Sequence, residues 1–346
     1  MTCRGRLAPG LWMLACGVCL LSDASGSAQS VQTAHLVQVG VIPAAAEKVE
    51  VSGTHAYLVT GRTLAIFDIS NPGTPKREGE YTFPDKIWGI EVVGTLVYAA
   101  VDKFGLGIVD VSNASAPRLR GSLKTPGQSK SIALTGSMVM VADHMSGVNF
   151  VDVSDPAKPV FLDDFFLDGY ARAVAARGPI AAAVDTPTGL YVFDFSKPGK
   201  REPVAIRQSA DRPGSVKMSD PNGAPGLKIA VLLGGGSLQI YDIADPAAPA
   251  KAATLRTPGA RAQDAALQGR LAFVADGASG LQVVDLEVPS RPRIIGEFKT
   301  TMPAHAVAAA NTLVLVAVGA VEEGPAGSSS ADKGQVLILE HRLRAQ

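Results

Sequence analysis

Apolar residues fall along the chain in short runs, each bounded by Gly, Asp, Asn, Ser or Pro. Within a run, neighbouring positions are both apolar, as in Leu96–Val101 (LVYAAV) and Leu271–Ala275 (LAFVA). A half-exposed strand alternates apolar and polar residues; an uninterrupted apolar run of strand length means that both faces of the sheet are covered. The runs come in groups of four separated by turn residues, which predicts four-stranded antiparallel meanders stacked face to face.

One phrase marks the third run of each group. It reads LAIFDISNP at Leu64–Pro72, LGIVDVSN at Leu106–Asn113, VNFVDVSDP at Val148–Pro156, LYVFDFSKP at Leu190–Pro198, LQIYDIADP at Leu238–Pro246 and LQVVDL at Leu281–Leu286, with a degenerate VLILE at Val336–Glu340. Its acidic residues are spaced by 42, 42, 42, 48, 43 and 55 residues. A period near 42 with four strands per unit is that of propeller blades, and seven units fit a closed ring. The last unit ends soon after its third strand, so its fourth must come from elsewhere. The segment His35–Pro43 has the fourth-strand pattern, with Gly40 in the place of Gly79, Gly121 and Gly296. The expected fold is an all-β seven-bladed propeller whose N-terminal strand completes the last blade and removes a free sheet edge. The single domain spans 29–346, with a closing strand at 35–43 and units at about 46–83, 87–126, 129–168, 171–209, 213–257, 262–301 and 304–341.

The repeated phrases, above all Ile108–Ser112 (IVDVS) and Val283–Asp285 (VVD), resemble the LVIVD-repeat family of bacterial and archaeal exported propeller-like proteins. The resemblance covers roughly residues 35–341. It implies an exported or surface-associated protein and supplies no catalytic residues; Glu340-His341 departs from the pattern.

Composition sharpens this picture. The 36 glycines and 23 prolines are the turns of such a fold. Residues 1–28 read as a signal peptide: Arg4 and Arg6 precede an apolar stretch from Leu11 to Leu21, and Gly26-Ser27-Ala28 suits cleavage. The stretch is too short to span a bilayer. All three cysteines lie within residues 1–28, whose removal changes the net charge from zero to −1. A near-neutral chain has no basic field for nucleic acid. The expected protein is exported, whether periplasmic, secreted or at the cell surface, with no transmembrane span and as a monomer.

Asp68, Asp110, Asp152, Asp194, Asp242 and Asp285 are followed by Ser or Ala and then Asn, Asp or Pro in most units, so they read as turn residues whose carboxylates accept backbone N–H groups. Asp102, Asp143, Asp185 and Asp276, at the next turn inward, read the same way. Where the innermost strands begin, the units supply a column of varied chemistry: Glu47, Trp88, Lys130, Arg172, Gly214, Gln263 and His305, with Asp264 beside it. Glu47, Trp88, Lys130, Arg172, Gln263, Asp264 and His305 are therefore the candidate ligand-binding residues, suited to an anionic or zwitterionic small molecule. The histidines lack a metal-ligand spacing, there is no Gly-x-Ser-x-Gly elbow, and no thiol remains after cleavage. No metal, cofactor or catalytic residue is assigned. Insertions at 219–227 and 321–334 lengthen two hairpins, the second placed to overhang the column. The reading is a non-enzymatic scaffold binding a protein or envelope component; the alternative is a hydrolase or lactonase-type enzyme, or a ligand-binding propeller, using the polar ring.

Overall fold

The structure, a computed structural model, describes residues 32–196, 199–209, 212–219, 227–319 and 334–345. The signal segment 1–28 and most of the 219–227 and 321–334 insertions lie outside them. The described residues form twenty-eight strands, β1 to β28 in chain order, arranged as seven four-stranded antiparallel sheets. Six sheets are simple meanders of consecutive strands. Their innermost strands are β2 (Lys48–Ser52), β6 (Ile87–Val93), β10 (Ser131–Thr135), β14 (Tyr170–Arg177), β18 (Ser215–Met218) and β22 (Asp264–Gln268). The seventh runs outward from β26 (Ala304–Ala310) through β27 (Leu313–Gly319) and β28 (Gly334–Ala345) to β1 (Gln32–Ile42). Thus β1 is the outermost strand of the last blade, with Val37 opposite Glu340 and Ile42 opposite Val336. No helix among the described residues is long and apolar enough to cross a membrane.

The core lies between blades, which is why both faces of each strand are apolar. Between the last blade and the first, Ile42, Leu58, Leu315 and Ile338 are all buried. Burying one such side chain contributes about 1.5–3 kcal/mol, and the same contact recurs at every interface.

The glycines of the outer strands seal the ring. Gly79 lies in β5 (Lys76–Thr82), Gly121 in β9 (Arg118–Leu123) and Gly296 in β25 (Arg293–Phe298), each beside a β-bulge, as is Gly40 in β1. A Cβ on Gly40, Gly79 or Gly121 would collide with the backbone carbonyl of Pro72, Ala114 or Pro156, in the turn at the end of the next blade's repeated phrase. Gly296 meets Ala34 of β1 in the same way, so the N-terminal strand receives the sixth blade and delivers Gly40 to the first. Only glycine lets backbone approach backbone this closely.

Candidate functional site

The repeated aspartates hold turns. Asp68, Asp110, Asp152, Asp194, Asp242 and Asp285 each accept the N–H of the residue two places on, at 2.8–2.9 Å. One such residue per blade leaves these carboxylates spread around the rim.

The inner set of aspartates does more than cap its own turns. Asp143 is fully buried and accepts from Thr125 Oγ1 (2.7 Å), Gly127 N–H (2.6 Å) and Ser129 Oγ (3.1 Å), clasping the crossover between the second and third blades. Asp276 takes Thr257 and Gly259 in the same way. Both crossovers read Thr-Pro-Gly. The equivalent crossover of the second blade reads Phe83-Pro84-Asp85, and Phe83 fills the space that Gly107 leaves open. Asp102, with no hydroxyl to hold, turns instead toward the axis.

There it organises one mouth of the central channel. Trp88 Nε1 donates to Asp102 Oδ1 (3.0 Å), and Lys130 Nζ donates to the same oxygen (2.8 Å). Lys130 and Lys86 place their ammonium groups 4.1 and 4.3 Å from the centre of the Trp88 ring. Although partial burial opposes ionisation, Lys130 and the Trp88 N–H hold the Asp102 carboxyl below its usual range. On the third and fourth blades, His144 stacks on Tyr170 at 4.6 Å. Desolvation, then Lys130 and Arg172, pull the His144 ring down from the usual imidazole value, which leaves it neutral at pH 7. Arg172 is exposed and makes no ion pair among the described residues.

Of the sequence-derived column, Trp88, Lys130, Arg172, Gly214 and Gln263 line a channel cavity of about 490 Å³, as does Asp264. Glu47 and His305 do not. The Glu47 carboxylate is drawn aside by Gly61 N–H (3.1 Å) and by Lys86 Nζ (2.9 Å). His305 is buried between blades, with Nε2 donating to the Ala46 carbonyl at 2.7 Å. The expected acidic and imidazole sector at this mouth is thus reduced to Gln263 and Asp264, because interblade contacts recruit the other two side chains.

The stronger charges lie deeper. Lys48, Glu50, Glu91, Arg177, Lys217 and Asp264 all line the cavity. Lys217 Nζ pairs with Asp264 Oδ1 at 2.9 Å, and Asp264 Oδ2 accepts Val307 N–H of the next blade. Glu91 accepts Leu134 N–H, again on the next blade (2.8 Å). Such bonds satisfy the free inner edges of the sheets. Desolvation raises Glu91 despite that N–H and pushes Glu50 up to about 7, with Lys217 only partly offsetting it. Desolvation also opposes the charges of Lys217 and Asp264, yet their mutual attraction prevails, holding Lys217 high and Asp264 low. The sequence signal for this deeper set was the strand register, one to five residues beyond the column.

The LVIVD repeat family model matches residues 43–82, 86–125, 126–165 and 259–300. These matches fall on the first, second, third and sixth units. The β-propeller domain of Cps50 (Swd1) from Myceliophteria thermophila superposes with a TM-score of 0.68 at 10% identity, covering 88% of this chain and 99% of that one. At that identity the likeness is one of fold alone. No curated protein matches the chain.

Proposed function

We propose that this chain, a seven-bladed β-propeller with LVIVD repeat matches in four of its units, acts as an exported, monomeric, non-enzymatic scaffold that binds a protein partner in the cell envelope. The observation that carries this reading is a set of exposed apolar side chains on the third blade, interrupted by Asp163 and Asp164, that extends to the channel mouth. The outer strand β13 (Val160–Phe165) exposes Val160, Phe161 and Leu162, the crossover that follows exposes Phe166 (67%), and Tyr170 (49%) is exposed at the start of β14. The turn carrying Met145, 71% exposed, packs its Gly147 against Phe165 and Phe166, which joins it to the same surface. The outer strands of the first two blades, KREGEYT and RLRGSL, are polar by comparison. Clustered exposed apolar side chains mark interaction surfaces, and an apolar free strand edge invites strand pairing. Tyr170 and the exposed Arg172 are of the residue types that dominate binding energy at interfaces. The partner chemistry this surface fits is an extended segment with apolar side chains and a carboxylate that reaches Arg172.

Affinity capture from an envelope fraction with the wild-type protein and with Phe166→Ser plus Arg172→Ala tests the reading. One dominant partner, retained by wild type and lost by the double variant, is the expected result. Equal capture by both proteins, or retention of the uncleaved chain in the cytoplasm, contradicts it.

A further inference from the structure

The middle of the channel carries a separation of charge that neither the mouth nor the rim requires. Pairing places one residue of each innermost strand at the same level: Glu50 opposite Tyr57, Glu91 opposite Tyr98, Ala133 opposite Met140, Ala175 opposite Ala182, Lys217 opposite Val231, Ala266 opposite Phe273 and Ala308 opposite Leu315. Two carboxylates therefore stand on the adjacent first and second blades. Across the ring, the fifth blade supplies Lys217, and the fourth supplies Arg177 two residues further along its strand. The remaining positions are alanines, which leave the space between the charged sides open.

These groups retain unused hydrogen-bonding capacity. No hydrogen bond reaches the Glu50 carboxylate among the described residues, and Glu91 uses only Oε2. Lys217 spends one donor on Asp264 (2.9 Å), and Arg177 spends Nη1 on its neighbouring Ala176 carbonyl (2.8 Å). A simple anion entering this section would meet Glu50 and Glu91. A simple cation would meet Lys217 and Arg177, with Lys48 nearby. A molecule with one charge of each sign satisfies both sides.

We propose that the middle of the channel binds a small amino acid-like zwitterion, its ammonium on Glu50 and Glu91 and its carboxylate on Lys217 and Arg177. A cavity of about 490 Å³ is within the range for small-ligand sites. Carboxylate recognition by a guanidinium with a second cation is strong and directional. The groups facing Glu50 are Lys217, Asp264, Glu91 and Arg177, and its carboxyl is half-protonated near pH 7. An ammonium beside it favours the ionised form, so binding at pH 7 releases a fraction of a proton, and affinity rises between pH 6 and pH 8.

Isothermal titration of the full-length protein with glycine, 4-aminobutyrate and 6-aminohexanoate, against butylamine and butyrate as singly charged controls, provides the test. Repeating it at pH 7 in two buffers of different ionisation enthalpy reads the proton count. At least one zwitterion is expected to bind tenfold or more tightly than both controls, with proton release. Glu50→Gln should weaken it at least tenfold and abolish that release. Lys217→Met removes the other side; because it strands Asp264, Arg177→Gln serves where Lys217→Met does not fold. The proposal is overturned if no zwitterion outbinds both controls, if no proton is released, or if Glu50→Gln binds like wild type. Partner capture at the mouth is read separately and is unaffected by any of these results.

Discussion

Lys130 of the third blade and Asp102 of the second are joined at 2.8 Å, and the same ammonium sits 4.1 Å from the centre of the Trp88 ring. One ion pair thereby fixes an aromatic side chain at the channel mouth and ties two blades together. Both partners are only 16–18% accessible, so the pair is worth more than a surface salt bridge. Lys130→Met leaves Asp102 with the Trp88 N–H alone and is expected to cost about 1–2 kcal/mol. Denaturant unfolding measures the cost. Trp88 is the sole tryptophan beyond residue 28, so its emission should move to the red in the processed protein. An unchanged spectrum would mean that the pair does not hold the indole.

The two sets of aspartates predict unequal losses. Asp143→Ala strands Thr125, Gly127 and Ser129 around a buried void, and about 3 kcal/mol is expected from donors left without an acceptor. Asp110→Ala removes one exposed turn bond, to Ser112, and should cost about 1 kcal/mol or less. The comparison is made by thermal unfolding of both variants, and equal shifts would contradict the clasp.

Gly121→Ala drives a methyl group into the Pro156 carbonyl and should destabilise by about 1–3 kcal/mol. Gly214, with open space around its Cα and no left-handed backbone, is the control, and Gly214→Ala is expected to be neutral within about 0.5 kcal/mol. Unfolding midpoints of the two variants distinguish close packing from a general intolerance of alanine.

Glu50 carries a pH dependence of known sign. Its carboxyl titrates near 7 in the fold, against 4.5 as the ordinary value, so the folded state holds the extra proton between these limits. Its contribution to stability is fully present below about pH 4.5 and is lost as the pH rises through 7. Subtracting the Glu50→Gln profile from that of wild type isolates this loss. A difference that is flat from pH 5 to pH 8 would contradict the desolvated placement of the group.

Much of the architecture was legible because the repeated Asp is a turn residue in every regular blade, so its spacing counts blades directly. Gly40 was legible for a related reason: the outer strand must be bare where a neighbouring turn rests on it. The site was read less well. Glu47 and His305 share the register of Trp88 and Lys130, but a one-dimensional alignment cannot tell a side chain aimed at the axis from one captured by Lys86 or by the Ala46 carbonyl. Asp102 looked like Asp143 until Phe83, where a threonine stands in the crossovers that Asp143 and Asp276 clasp, showed why its carboxylate turns inward. Glu50, Glu91 and Lys217 sit within apolar strands, and only the pairing register puts them at one level. The surface of Phe166, Tyr170 and Met145 depends on the packing of two loops far less regular than the repeat.

Photo-crosslinking in cells tests the central claim, that the third-blade surface and channel mouth form a protein-binding face. A photoreactive residue is placed in turn at Tyr170, at Phe166 and, as a control on a different blade, at Val288, which is 41% exposed. The account predicts one dominant adduct in the envelope fraction from Tyr170 and Phe166, none from Val288, and loss of the adduct when Arg172→Ala is added. Equal labelling from all three positions, or none from Tyr170 and Phe166, would contradict it.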